Sequence, residues 1–514
     1  MRYVRGAASL PVIAAIFSAA GAMPARAEDS HPIDRAFTEA SAHAVQLAAA
    51  PYIAPDKTLP AAFSGADYDA YSKLRPRPEA SVWGKLGNPF GLLPLPRGWL
   101  YPEPVSIHLV HRDGATGKFD SPNAVDFVDF PAATDGDRHA LGASGWRAIT
   151  KPGVAGDGYE FAVFQGGVYF RAVGQGQVYG VSARALAVGT GSPKGEEFPR
   201  LTDFWVLEPE ANDDTLRFVA VSDSPSASAA YRFALRLGSD AIIDVAPEIH
   251  PRVDISEAGV APLSSMYLHG PADPRANNAS WADKRPEVHD SDGLSVILQS
   301  GETIWRPLAN PAHLQGSAFT GTPVRFGFEQ RQRDPAAYAD GEAKYEQRPS
   351  VVIEPVGDWG EGDIRLLEIP TANEYADNVT AFWRPAQPWL AGATYSLAYR
   401  LHWSAALAST NLARVISTEV GMAPETDRLR RFDITFEADA ALPEGQLKPD
   451  VWSAGGKMSN IRIARDGDRR ARLRFDLEPG AASVVELHAA LTNSPTGGET
   501  SQLTETWLFR WTPE

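Results

Sequence analysis

The stretch Lys284–Leu294, KRPEVHDSDGL, gathers Glu287, His289, Asp290 and Asp292 beside Arg285. Carboxylates and an imidazole at this spacing have three uses: holding a metal ion, supplying a general acid or base, or satisfying a polar turn. The chain's 11 histidines are otherwise scattered, with no pair at metal-ligand spacing, so neither a catalytic zinc site nor any cofactor is expected. No HExxH, GxSxG or P-loop occurs. VGQGQVYG (Val173–Gly180) has the glycines of a nucleotide loop, but their spacing is wrong and no helix follows, so it reads as a β-turn.

Acids, arginines and aromatic rings cluster again further along. GETIWRPLANP carries Trp305 and Arg306, and the segment from Phe326 to Ser350 carries Arg331, Arg333, Asp334, Tyr338, Tyr345 and Arg348. EPVGDWGEG carries Asp358 and Trp359, and EIPTANEYADNVTAFWRP carries Glu374, Asp377, Asn378 and Trp383. A pyranose needs this mixture: rings for its C–H face, and carboxylates and guanidinium groups for its hydroxyls. Taken singly, each ring is more readily a core residue. Glycoside chemistry needs two carboxyl groups, and Asp290 and Asp377 each stand beside turn residues just before a strand-like run, GLSVIL and VTAFW. The alternative for each is a surface turn aspartate that accepts a local backbone hydrogen bond.

The elements that must position these groups are short strands. HPIDRAFTEASAHAVQLAAA has helical spacing, predicting one helix from Glu28 to about Leu47. From about Trp83 the chain becomes a series of β-rich runs bounded by Gly, Pro, Asp and Asn, among them YEFAVFQGGVYFRAV, TLRFVAVS, SVVIEPVGDWG and TYSLAYRLHWS. Without βαβ alternation, this predicts an all-β antiparallel sandwich. SAALASTN reads as a linker at 405–411, and about seven strand-sized pieces follow over 412–514, the size of an immunoglobulin-like sandwich.

The 514 residues exceed one ordinary core, so two domains are expected, a large one over 28–404 and the small one after the linker. Residues 1–27 combine Arg2 and Arg5, an apolar run and an Ala25-Arg26-Ala27 end, the pattern of a cleaved general secretory signal. No other apolar segment approaches the span of a membrane helix, so the mature chain is expected to be exported without membrane insertion. With no cysteine, disulfides and thiolate chemistry are excluded. Loss of the three signal arginines takes the net charge from -16 to -19, which disfavours nucleic acid and anionic membranes and suits a neutral ligand such as a sugar.

Several long motifs in order, GQVYGVSARALAVGTGSPKGEEFPRLTDFWVLEP, VAPLSSMYLHG, RPEVHDSDGL, WRPLANP, YEQRPS and EIPTANEYADNVTAFW, resemble the periplasmic glucan biosynthesis proteins of the G and D type. The resemblance is dense from about Gly174 to Trp383 and weaker after Ser404. It implies a periplasmic location, a large galactose-mutarotase-like β-sandwich followed by a smaller immunoglobulin-like one, and the β-1,2-linked glucose backbone of osmoregulated glucans as substrate. A membrane glucosyltransferase of the same pathway is the protein partner it suggests. Family members are similar to inverting endo-β-1,2-glucanases, and some relatives are cyclising transglycosylases. In that pattern Asp377 is the general acid and Asp290 serves the water or acceptor side, while Asp292 and Asp358 stand where the family also admits Asn and Glu. Glu287, His289, Trp305, Arg306, Arg331, Tyr338, Tyr345, Arg348, Trp359, Glu374, Asn378 and Trp383 are then the expected substrate-binding residues.

An inverting pair requires about 6.5–9.5 Å between carboxyl groups. Asp377 must hold a proton, with burial or Glu374 expected to help, and Asp290 must stay ionised, with Arg285 or His289 expected to assist. The loop from Glu329 to Ser350 is expected to cover the cleft. A non-catalytic glucan-binding assembly factor would use the same rings and arginines. A sugar mutarotase, the third reading, would have His289 as its one candidate histidine.

Overall fold

The computed structural model describes residues 31–513 except 84–87, 120–121, 151–157, 274–283, 406–410, 445–446 and 494–500. The expected signal segment 1–27 and most of the expected linker 405–411 lie outside the described residues. The chain is all-β, as expected. A 10-stranded and a 15-stranded sheet contain most of its strands. Burial along Ala241–Pro251 alternates residue by residue as far as Ile249, the period of a strand with one face against a core. Between the two sheets lies a ladder of rings. Trp146, Phe164 and Phe170 stack on one sheet, and Phe218 and Phe233 on the other. Phe164 meets Phe218 edge-on at 5.2 Å, the offset that ring quadrupoles favour.

The N-terminal helix is Pro32–Ala48, starting at a proline that fits its first turn. Its apolar stripe, Phe37, Ala40 and Ala44, packs on Val219, Val221 and Ala230, the outer face of the larger sheet. Two strand pairs run parallel within the otherwise antiparallel large sheet, Ser106–Val110 with Arg200–Leu207 and Thr303–Pro307 with Thr506–Trp511.

The second parallel pair joins the C-terminal module to the rest. The four-stranded sheet of Arg414–Ala423, Thr426–Glu437, Arg470–Glu478 and Lys457–Asp466 faces Leu447–Ala454, Val485–Asn493 and Thr506–Trp511 around its own core. The last of these strands pairs Thr506 with Ile304 and Trp507 with Trp305, so one continuous sheet crosses the junction. Arg331 secures it. Its guanidinium bonds both oxygens of Glu505 at 2.7 and 2.9 Å, the carboxylate of Glu329 at 2.9 Å and the carbonyl of Val415, and lies 3.5 Å over the Trp305 ring. All four charged and aromatic side chains are buried apart from a small exposed part of Arg331. Removing one partner of such a network strands the others. Arg331→Met is expected to lower unfolding free energy by about 3–5 kcal/mol, measured by urea denaturation followed by tryptophan fluorescence.

Candidate functional site

Asp290 and Asp377 come from opposite sheets. Asp377 lies two residues before Val379–Pro385 in the 10-stranded sheet, and Asp290 precedes Gly293–Leu298 in the 15-stranded one. A two-stranded ribbon, Tyr267–His269 with Val288–His289, links the ends of these sheets. The chain enters it directly from Ala258–Ser265, the neighbour of Val379–Pro385, and leaves it at Asp290, whose N–H donates to the Met266 carbonyl at 2.8 Å. Asn378 clasps the ribbon: its Oδ1 accepts from Tyr267 N–H at 2.8 Å, and its Nδ2 donates to the Tyr267 and Ile369 carbonyls at 3.0 and 3.1 Å. The amide that follows Asp377 therefore holds the segment bearing Asp290.

Asp290 is buried and held by the Arg348 guanidinium. Burial raises its pKa, Arg348 opposes this, and the nearby charge of Asp377 raises it further, to about 6. Arg348 is itself held over the Tyr345 ring at 4.4 Å and by the Ala343 carbonyl at 3.1 Å. Asp377 accepts from the Ser182 hydroxyl at 3.3 Å and lies 3.6 Å from Arg171, whose Nε also donates to Ser182 at 2.6 Å. Arg171 and Asp377 keep part of their side chains in solvent.

The helpers expected from sequence are reassigned. Arg285 bonds Asp340 at 2.8 Å and Glu374 at 2.6 Å, so Arg348 and not Arg285 pairs with Asp290. Glu374 is taken up by Arg285 and by the Tyr345 hydroxyl at 2.7 Å. Tyr345, Arg348 and Glu374 thus form one side of the site. Asn378 is buried, with its amide wholly spent on backbone groups. Trp359 and Trp383 lie in the main core, 5.3 Å apart, and Trp305 lies in the core of the C-terminal module. Arg306 is buried on Glu368 at 3.0 Å, and Arg331 belongs to the junction. Tyr338 is buried and donates to the Gln332 carbonyl at 3.1 Å. Asp358, exposed, accepts from the N–H of Gly360 in a local turn.

Glu287, His289 and Asp292 turn the other way. Their side chains line a cavity of about 70 Å³ shared with Ser417 and Thr418 of the C-terminal module. His289 Nε2 lies 3.0 Å from Glu287 and 3.5 Å from Asp292. Burial alone would lower the His289 pKa, but these two carboxylates outweigh it and raise it.

The loop from Glu329 to Ser350 is braced and is not a free flap. Gln330 donates to the His289 and Tyr345 carbonyls at 3.0 and 3.1 Å, and Arg333 donates to those of Glu346 and Arg348. Asp334 caps the short helix Pro335–Tyr338. The VGQGQVYG turn, dismissed as a nucleotide loop, abuts this one: Val178 N–H donates to the Gln347 carbonyl, and a side chain at Gly180 would meet Arg348 at 3.0 Å.

Sequence reasoning did not single out Arg171, Ser182 or Tyr375. Arg171 and Ser182 sit on unremarkable strands, Tyr169–Ala172 and Ser182–Arg184, that pair at one edge of the site, and only the fold brings them to Asp377. Tyr375, two residues before Asp377 and 89% exposed, had a signal in the sequence: an aromatic ring in a polar loop beside the candidate acid.

Among known proteins, a family model described as "Periplasmic glucan biosynthesis protein, MdoG" matches residues 36–511. "Glucans biosynthesis protein G" of Shewanella sp. (strain MR-7) is 41% identical over 475 residues, covering 91% of this chain and 85% of that protein. The protein of the same name from Vibrio cholerae serotype O1 (strain M66-2) is 40% identical over 477 residues, with the same coverage. Among the described residues no helix is long and apolar enough to cross a membrane.

Losing the Asn378 clasp would leave a buried N–H and two carbonyls without partners. Asn378→Ala is expected to cost about 3 kcal/mol, read from the shift of the urea midpoint at unchanged slope.

Proposed function

Because the chain belongs to the periplasmic glucan biosynthesis family, we propose that it acts in the periplasm on the β-1,2-linked glucose backbone of an osmoregulated glucan, as an anomer-inverting endo-β-1,2-glucanase. The observation that carries this reading is the meeting of Asp290 and Asp377, from opposite sheets, through the ribbon clasped by Asn378. Asp377, in contact with Ser182 and Arg171 and partly open to solvent, is the general acid that protonates the leaving glycosidic oxygen. Asp290 serves the water side. Arg171, Arg348 and the exposed ring of Tyr375 bind hydroxyls and sugar faces. When a sugar hydroxyl replaces water as the acceptor, the same centre transfers the glycosyl group and can close a ring.

One observation favours a second reading, a non-catalytic glucan-binding assembly factor. Asp290 is buried against Arg348, so it reaches an attacking water only through intervening groups or waters. In that case the surface around Asp290 and Asp377 guides nascent chains, and the C-terminal module docks the membrane glucosyltransferase.

Incubation of the purified protein with linear β-1,2-glucan, followed by product sizing and NMR of the newly formed anomer, separates the two. The enzyme reading expects shorter glucans with inverted configuration. Asp377→Asn and Asp290→Asn are each expected to retain glucan affinity and lose roughly 100-fold or more in turnover. Wild-type protein that releases no oligosaccharide and forms no new linkage would establish the binding reading. Substitutions in Glu329–Ser350 are expected to change the ratio of hydrolysis to transfer more than binding. An unchanged ratio in a loop-shortened variant refutes that part.

A further inference from the structure

We propose that Glu287, His289 and Asp292 hold one divalent transition-metal ion, with Zn²⁺ the best fit, in the cavity between the Asp290 segment and the C-terminal module. The first observation is the tautomer of His289. Gln330 Nε2 is committed to the His289 and Tyr345 carbonyls, which aims its Oε1 at His289 Nδ1, 3.0 Å away. Nδ1 must therefore carry hydrogen, as in metal-binding histidines whose far nitrogen donates to a carbonyl. Nε2 is left facing two carboxylates, Glu287 Oε2 at 3.0 Å and Asp292 Oδ1 at 3.5 Å. A lone pair there is repelled unless a proton or a cation intervenes.

The separations suit a cation. Bonds of about 2.0–2.2 Å place neighbouring ligand atoms of a tetrahedral or octahedral site roughly 2.9–3.6 Å apart. All three donor atoms lie within 4.8 Å of one another. The other oxygen of Asp292 is oriented by the backbone N–H groups of Arg331 and Gln332, a fixed support for a liganding carboxylate.

A second, independent observation points into the same space. Tyr267 is 2% exposed, its ring is stacked on His289 at 5.4 Å, and it lines this cavity. Among the described residues its hydroxyl has no hydrogen-bond partner. A side chain added at Gly270 would meet Tyr267 Oη at 2.8 Å and His289 Nε2 at 3.5 Å, so both atoms face the same point beside this glycine. A buried hydroxyl without a partner is costly, and a water on a metal would satisfy it. Charge gives the same answer. An imidazolium leaves the trio itself at a net charge of -1, whereas a dication with neutral imidazole brings it to zero. One nitrogen and two oxygen donors suit Zn²⁺, then Mn²⁺, better than Ca²⁺ or Mg²⁺.

The test uses the full-length purified protein, stripped with EDTA, dialysed and titrated with ZnCl₂ by calorimetry, with thermal melts in parallel. The expected result is one Zn²⁺ per chain and a higher melting temperature. Glu287→Gln and Asp292→Asn should each weaken Zn²⁺ binding at least tenfold while circular dichroism stays that of the wild type. If Glu287→Gln does not fold, Asp292→Asn alone decides. No saturable Zn²⁺ uptake by the wild type, which would leave a proton as the bridge, overturns the proposal. So does binding unchanged in the folded variants.

Discussion

The side-chain amide of Asn378 is the contact on which the site depends. A primary amide offers one strong acceptor and two donor hydrogens, and here both ends bind backbone, on Tyr267 and Ile369. Sheets packed face to face lie about 10 Å apart, so groups on facing strand ends are separated by nearly a core thickness unless something bridges them. The Tyr267–His269 ribbon is that bridge, and Asn378 fastens it to the strand that begins after Asp377. The span between carboxylates that inverting hydrolysis requires, about 6.5–9.5 Å, is of the same order as that inter-sheet gap. A sandwich whose sheet ends are tied this way suits two-carboxylate chemistry without a special loop.

The two-residue period of extended backbone then divides the acid cluster. Val288 packs with Met266, Tyr338 and Tyr345, and Asp290, two residues on, meets Arg348 beside them. Glu287 and His289, on alternate positions, face the cavity against the C-terminal module. The stretch thus supplies Asp290 to one environment and Glu287 and His289 to the other, where Asp292, past the end of the ribbon, joins them. Gln330 connects them, with its amide nitrogen on the Tyr345 carbonyl and its oxygen on the His289 ring. Arg331, the next residue, anchors the module itself. Movement at the junction has a short route to Asp290, from Arg331 to the adjacent Gln330 and through its hydrogen bonds to His289.

Much of this was legible in sequence. Alternating β-rich runs gave the all-β class, and helical spacing located the N-terminal helix to within a few residues at each end. Asp290 and Asp377 were legible as candidates because each borders a turn and a strand. What escaped was partnership. Trp359 and Trp383 read as sugar platforms beside acid-rich loops, yet both rings are buried in the main core, Trp383 from the strand Val379–Pro385 and Trp359 from the loop before Gly362–Glu368, where they pack on each other. Arg285 stands close to Asp290 in sequence, but Arg348, 58 residues away, reaches it because the braced loop folds back. The Arg171–Asp377 and Ser182–Asp377 contacts join distant parts of the chain brought together within one sheet, and no local spacing encodes them. The parallel pairing of Ile304 with Thr506 escaped for the same reason.

Charge balance in the site indicates what can enter it. Asp290, Asp377, Arg348 and Arg171 act on one another, as their joint effect on Asp290 shows, and two acids against two guanidinium groups sum to zero. The whole chain, by contrast, carries a formal charge of -16. An anionic polymer would meet long-range repulsion outside and find no net positive charge within to repay its desolvation. A neutral polyol meets neither cost. Its hydroxyls both donate and accept, so they can bond guanidinium and carboxylate at once without separating the pairs already formed. On the reading proposed above, this balance would favour a neutral, hydroxyl-rich chain over an anionic one.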